Sequence, residues 1–224
     1  MRLQGIGYGD ARRGVGGYYD LAKEARGEAR SASGVEEKKL WQERLQELGT
    51  CVANALIEMG DLGAAVRHLE SLRPREGRDQ VLEGRLALLY VNLGDVDAAR
   101  RCLDGDASEG SPNKELRPLL SMAEGRYADA VGEWRALPES DVATQNLAVC
   151  LLYTGKVEET LELLDGLVEK GRNFHVLTFN LATVYELCSD KGREKKGDLV
   201  ARIANTIEEN GGGERGVIDF KIKL

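Results

Sequence analysis

The sequence predicts an all-α chain, a right-handed α-solenoid of antiparallel helix pairs. Three observations carry that expectation. Glycines followed by a polar residue recur at Gly60, Gly94, Gly125 and Gly155, with spacings of 34, 31 and 30 residues. Apolar residues on both sides keep a helical period: Leu86, Ala87 and Tyr90 before Gly94, then Val96, Ala99 and Leu103 after it. The third observation is a size profile that repeats about each turn. Seven residues before it stands a small residue, Ala53, Ala87, Ala148 or Ala182, and four before it a large one, Leu56, Tyr90, Leu151 or Tyr185. Five after it comes a small residue, Ala65, Ala99 or Ala130, with Thr160 in the fourth unit, and nine after it a bulky one, Leu69, Leu103, Trp134 or Leu164. Small residues let helix axes approach, and bulky ones fill the space between successive pairs.

In chain order, residues 1–35 form a Gly-rich N-terminal segment. Glycine is entropically costly to order, so no stable core is expected there, only a short docking helix over Tyr18–Ala25. Gly5, Gly7 and Gly9 follow no apolar strand and precede no Gly-Lys-Ser/Thr, which argues against a phosphate loop. From Glu36 a long amphipathic pattern runs through Trp41, Leu45, Leu48, Val52 and Leu56 until Gly60-Asp61 breaks it. A second stripe, Leu62, Ala65, Val66, Leu69 and Leu72, stops near Pro74. Gly94 closes the next first helix by entering the left-handed region, and Asp95 is a favoured N-cap for its partner. In the third unit Pro118 takes the small-residue position, so that helix is expected to be short or kinked. The polar stretch 104–111 before it is expected to make the array irregular. A fifth, lengthened pair turns near Ser189, with Phe179, Leu181, Ala182 and Tyr185 before it and Leu199, Ile203 and Ile207 after it. The helical repeat domain is therefore placed at 36–210, and an extended tail with one apolar edge (Ile218, Phe220, Ile222, Leu224) at 211–224.

Composition narrows the function. The net charge of −7 argues against nucleic-acid binding and against a basic membrane surface. No apolar run approaches the roughly 18 to 20 residues a bilayer needs, so no direct membrane insertion is expected. The N-terminus lacks an apolar stretch of signal-peptide length, which reads as a soluble intracellular chain. Cys51, Cys102, Cys150 and Cys188 lie far apart and form no paired ligand motif, so no metal and no cofactor are expected, and the thiols read as reduced. His68 and His175 fall in different units without a partner at triad or ligand spacing, and His68 reads as solvated on a charged helix face. Glu158-Glu159 and Glu208-Glu209 are adjacent on helices, hence about 100° apart, and do not converge as catalytic carboxylates. The chain is expected not to be an enzyme and to take no small-molecule substrate.

The repeating profile resembles the tetratricopeptide repeat, over about residues 46–209. The resemblance implies that first-helix residues line a concave surface used for binding. In the second repeat these are Val81, Gly84, Arg85, Leu88, Val91 and Asn92. The fourth and fifth repeats supply the candidate partner-binding cluster: Asn146, Val149, Tyr153, Phe179 and Asn180; the alternatives are that superhelical curvature buries these residues as core, or that the convex face with Trp134 and the second helices binds instead. The two Asn share a register, and an amide can both donate to and accept from a partner's backbone. An alternative is a transient peptide-binding adaptor of the chaperone-partner type. Asn54 matches one position of that group's carboxylate clamp, but Thr50 and Arg85 stand where Lys and Asn would be needed.

Several stretches go beyond the generic repeat: 48–69, 119–130, 146–156, 179–187, the closing Phe220-Lys-Ile-Lys-Leu224, and Tyr18–Ala22. Together they resemble the C-terminal tetratricopeptide-repeat domain of the TRAPP subunit 12 family, in its fungal form. That resemblance implies a scaffold within the TRAPP III vesicle-tethering and Rab-exchange complex, in ER–Golgi transport and autophagy. The partners would be other TRAPP subunits. The location would be cytoplasmic, at ER–Golgi membranes peripherally through the complex.

Overall fold

The computed structural model describes residues 11–74, 77–104, 112–172, 174–188 and 191–209. Among them are eleven helices and no strand. The chain divides into two compact units, Met1–Leu116 and Arg117–Leu224.

In the first unit, α1 (Ala11–Ser31) packs along α2 (Val35–Glu58), which pairs with α3 (Leu62–Ser71), and α4 (Gln80–Leu93) pairs with α5 (Val96–Leu103). The docking helix is thus 21 residues long rather than the short segment Tyr18–Ala25. Its glycines cost about 0.5–1 kcal/mol each. What offsets them is close packing: Gly14, Ala22 and Ala25 form one buried stripe of small residues. Helix formation here is decided by a tertiary partner, which local propensity does not show.

The same helix overturns the reading of His68. Rather than solvated, its ring is half-buried, with Nε2 3.1 Å from the Gly49 carbonyl and Tyr19 of α1 edge-on at 6.0 Å. Burial lowers its pKa, nearby Arg26 lowers it further, and the Gly49 hydrogen bond partly opposes them.

The remaining polar groups of this unit tie helix to helix. Buried Glu83 accepts two hydrogen bonds from Arg73, Nε at 2.9 Å and Nη2 at 3.1 Å. Arg78 donates to the carbonyls of Arg101, Cys102 and Asp104, satisfying the end of α5. Tyr90 donates to Glu70 Oε1 at 2.7 Å; burial first, and then this bond, pushes the phenol up to about 12.

In the second unit, α7 (Tyr127–Arg135) packs on α8 (Asp141–Tyr153), α8 on α9 (Val157–Glu169), α9 on α10 (His175–Cys188) and α10 on α11 (Gly192–Glu209). Before them α6 (Leu116–Ala123) is short, as Pro118 requires. The proline sits third in the helix and is buried, so it falls in the first turn, where no intrahelical N–H is needed, and no hydrogen bond is lost. Trp134 closes this end of the core, its indole Nε1 donating to Met122 Sδ at 3.3 Å. Tyr185 repeats the device of Tyr90: it donates to Asp165 Oδ1 at 2.7 Å, which also accepts from Arg202. Burial, then the Asp165 bond, pushes it up to about 12.

The size profile is realised throughout. Ala53, Ala87, Ala148, Ala182, Ala65, Ala99, Ala130 and Thr160 are all buried, as are the bulky Leu69, Leu103, Trp134 and Leu164. The turn glycines have φ of 77°, 79°, 75° and 79°, a conformation that a side chain disfavours. At each, the glycine N–H and the next N–H fold back onto the helix end; at Gly94 these bonds go to Val91 and Tyr90 carbonyls at 3.1 and 2.9 Å. Gly171, with φ 74°, ends α9 in the same way, outside the spacing of the four turn glycines. Gly5, Gly7 and Gly9, most of the polar stretch 104–111, Ser189 and the tail 211–224 lie outside the described residues.

Candidate partner-binding surface

The first helices of the fourth and fifth repeats, α8 and α10, are held by shared cores. Ala148 and Leu152 of α8 pack with Leu164 and Leu167 of α9 and with Leu177 and Leu181 of α10. That anchoring leaves the opposite stripe of each helix to solvent. Along it stand Val142 (59% exposed), Tyr153 (65%), Val176 (53%), Phe179 (59%) and Leu187 (69%). Folded chains rarely leave so many large apolar groups uncovered on one register. Val81 and Leu88 are exposed in the same register of α4.

The five residues singled out from the sequence divide between exposed and half-buried. Tyr153 and Phe179 are exposed; Asn146, Val149 and Asn180 are half-buried. Among the described residues neither Asn side chain has a hydrogen-bond partner, so both amides are free to meet an incoming backbone. The aromatics pair with different rings. Tyr153 stacks on Tyr127 at 4.2 Å and 8°, whereas Phe179 lies over His175 at 6.4 Å and 14°. The register is not uniformly open: Gly84 and Gln145, at the position where the fifth repeat has Phe179, are buried. An added Cβ at Gly84 would collide with the buried Asn113 side chain, which explains the glycine. Val142, Val176 and Leu187 are exposed on the same stripe as Tyr153 and Phe179 and belong to the surface.

Among the described residues no group of three or more His, Cys, Asp or Glu could hold a metal ion. Cys102 and Cys150 are buried, and burial pushes both thiols up to about 11, away from the thiolate. No described helix is long and apolar enough to cross a membrane.

No family model matches the chain. Over 184 residues it is 27% identical to trafficking protein particle complex subunit 12 of Mus musculus and 28% identical to that of Homo sapiens. The alignments take in 75% and 74% of this chain. Over these residues the chain is similar to TRAPP subunit 12. It spans about a quarter of the length of these relatives, 23% and 25%. Solved structures agree on the fold. A tetratricopeptide-repeat protein from Parabacteroides merdae superposes with a TM-score of 0.56 at 18% identity, over 86% of this chain and 79% of its own. BtubC from P. vanneervenii superposes with 0.58 at 17% identity, over 92% and 94%.

Proposed function

We propose that the chain is a non-catalytic protein–protein interaction scaffold that serves the TRAPP III vesicle-tethering and Rab-exchange complex, in ER–Golgi transport and autophagy. Other subunits of the complex are its partners, and it reaches ER–Golgi membranes from the cytoplasm through them. The repeat domain, 36–210, provides the surface. The relation to TRAPP subunit 12 supports the assignment. The observation that carries the scaffold reading is the exposed apolar stripe on α8 and α10, on rigid helices rather than loops. Tyr153 and Phe179 are the anchors, because aromatic groups contribute most buried area and commonly dominate binding energy. Asn146 and Asn180 fix register by pairing with backbone groups of the partner, and Val149 fills between them.

The test is purification of the tagged protein from its own cells, with identification of what accompanies it. Phe179→Ala and Tyr153→Ala, each checked by circular dichroism, should weaken partner capture by about 2 kcal/mol or more. Folded variants that still bring down the same partners would refute this surface. A preparation free of TRAPP subunits would refute the complex.

A further inference from the structure

A second surface lies in the first unit, where α1 crosses α2. A cleft of about 610 Å³ is lined by Leu21, Ala25, Trp41, Leu48 and Cys51, with Glu24, Glu28 and Glu47 along its edges. The lining follows from helix periodicity. Leu21, Glu24, Ala25 and Glu28 fall at i, i+3, i+4 and i+7 on α1; Trp41, Arg44, Leu48 and Cys51 fall at i, i+3, i+7 and i+10 on α2. α1 therefore turns a mixed apolar and acidic face to the cleft, and α2 a mainly apolar one that also carries Arg44 and Glu47. Arg44 is the only basic group lining it, and its guanidinium lies over the Trp41 ring, 4.6 Å from the centroid. Among the described residues Glu24, Glu28 and Glu47 have no ion-pair partner.

An apolar floor between uncompensated carboxylates states what would fill it. We infer that this cleft docks a basic amphipathic helix of another protein, its apolar stripe against Leu21, Trp41 and Leu48 and its Lys or Arg residues against Glu24, Glu28 and Glu47. Helix-in-groove recognition needs an apolar trough of this kind, and the rim charges select the sign of the ligand. Anionic lipid and nucleic acid are disfavoured by the same carboxylates and by the net charge of −7. The site is independent of the α8/α10 surface: it lies in the other unit and uses charge where that one uses neutral amides.

The probe is a dye-labelled peptide of leucine and lysine, with leucines at i, i+3, i+4 and i+7, read by fluorescence anisotropy against the whole protein. Its counterpart with glutamate for lysine is the control. The lysine peptide should bind, the glutamate peptide should not, and added salt should weaken binding. Glu24→Lys with Glu28→Lys should weaken the lysine peptide by about tenfold or more and admit the glutamate peptide. Leu21→Asn, at an exposed position, should weaken it without altering the charge, and it stands in should the double variant fail to fold. Equal binding of both peptides, no binding of either, or wild-type affinity in the folded variants would overturn the proposal. So would sedimentation showing that the unmodified chain self-associates and that the charge reversal dissolves the dimer, since the occupant would then be a second copy.

Discussion

The turns of the first unit and those of the second reach one backbone geometry by different side chains. At Gly60-Asp61 and Gly94-Asp95 the aspartate caps the next helix, accepting from Ala64 N at 3.0 Å and Ala98 N at 2.9 Å. At Gly125-Arg126 and Gly155-Lys156 the corresponding residue is a cation with no side-chain cap bond. A cation at a helix N-terminus opposes the macrodipole. The second unit answers with acidic first turns, Asp129 in α7 and Glu158 and Glu159 in α9, and Arg126 is drawn aside to Glu124 and Asp129. The glycine φ varies only from 75° to 79° across all four. The turn is therefore set by the left-handed glycine and its folded-back backbone bonds, and the capping side chain adjusts its strength.

That contrast can be broken or sharpened by substitution, with Trp41 reporting the first unit and Trp134 the second in urea unfolding. The largest effect should be common to both. Ala99→Leu and Ala130→Leu overfill fully buried helix crossings and should each cost about 1–3 kcal/mol; an unchanged midpoint would show the register to be wrong. Next, Gly94→Ala and Gly155→Ala should cost about 1–2 kcal/mol, equally in the two units, because neither added Cβ meets an atom within 4 Å and only backbone strain remains. Unequal losses would mean that the side chains, not the glycine, set the turn. The cap itself should separate the units: Asp95→Ala is expected to lose about 1 kcal/mol, whereas Lys156→Asp should gain about 0.5 kcal/mol.

The smallest effect concerns acid. Burial holds the His68 pKa below its ordinary 6.5, so the folded state favours the neutral ring. Its contribution is whole above that ordinary value and is lost as pH falls through the lowered one. Between neutrality and about pH 5 the Trp41-reported midpoint should fall more steeply in the natural protein than in His68→Gln. Parallel pH profiles would place the ring in solvent.

The repeating elements were legible because their signals are local. A glycine turn and a small–large alternation need only the chain's own neighbours to be read. Pro118 was legible in its effect, a short helix, but not in its mechanism, because its place in the first turn depends on where α6 begins. The length of α1 was not legible. Gly14, Gly16, Gly17 and Gly27 disfavour a helix, and tertiary packing on α2 and on His68 of α3 stabilises it. His68 was misread for the same reason, since α1 is what covers it. On the α8/α10 surface, Phe179 and Tyr153 were readable from register, but the burial of Gln145 and Gly84 on that register was not. Burial there depends on the neighbours that each repeat packs against, and not on periodicity.

The two tyrosine ties bear on what order the repeats can be strung in. Tyr90 meets an acid twenty residues upstream, Glu70, and Tyr185 meets Asp165 at the same interval. Twenty residues before Leu151, which occupies the equivalent place, is Val131, and those two share an apolar core. The second, fourth and fifth repeats thus each have a preferred predecessor, phenol after carboxylate and leucine after valine, like words that agree in gender. Exchanging the second repeat with the fourth would keep every turn and every helix intact. It would nonetheless set Tyr90 against Val131 and Leu151 against Glu70, and the resulting sentence would be well spelled and ungrammatical.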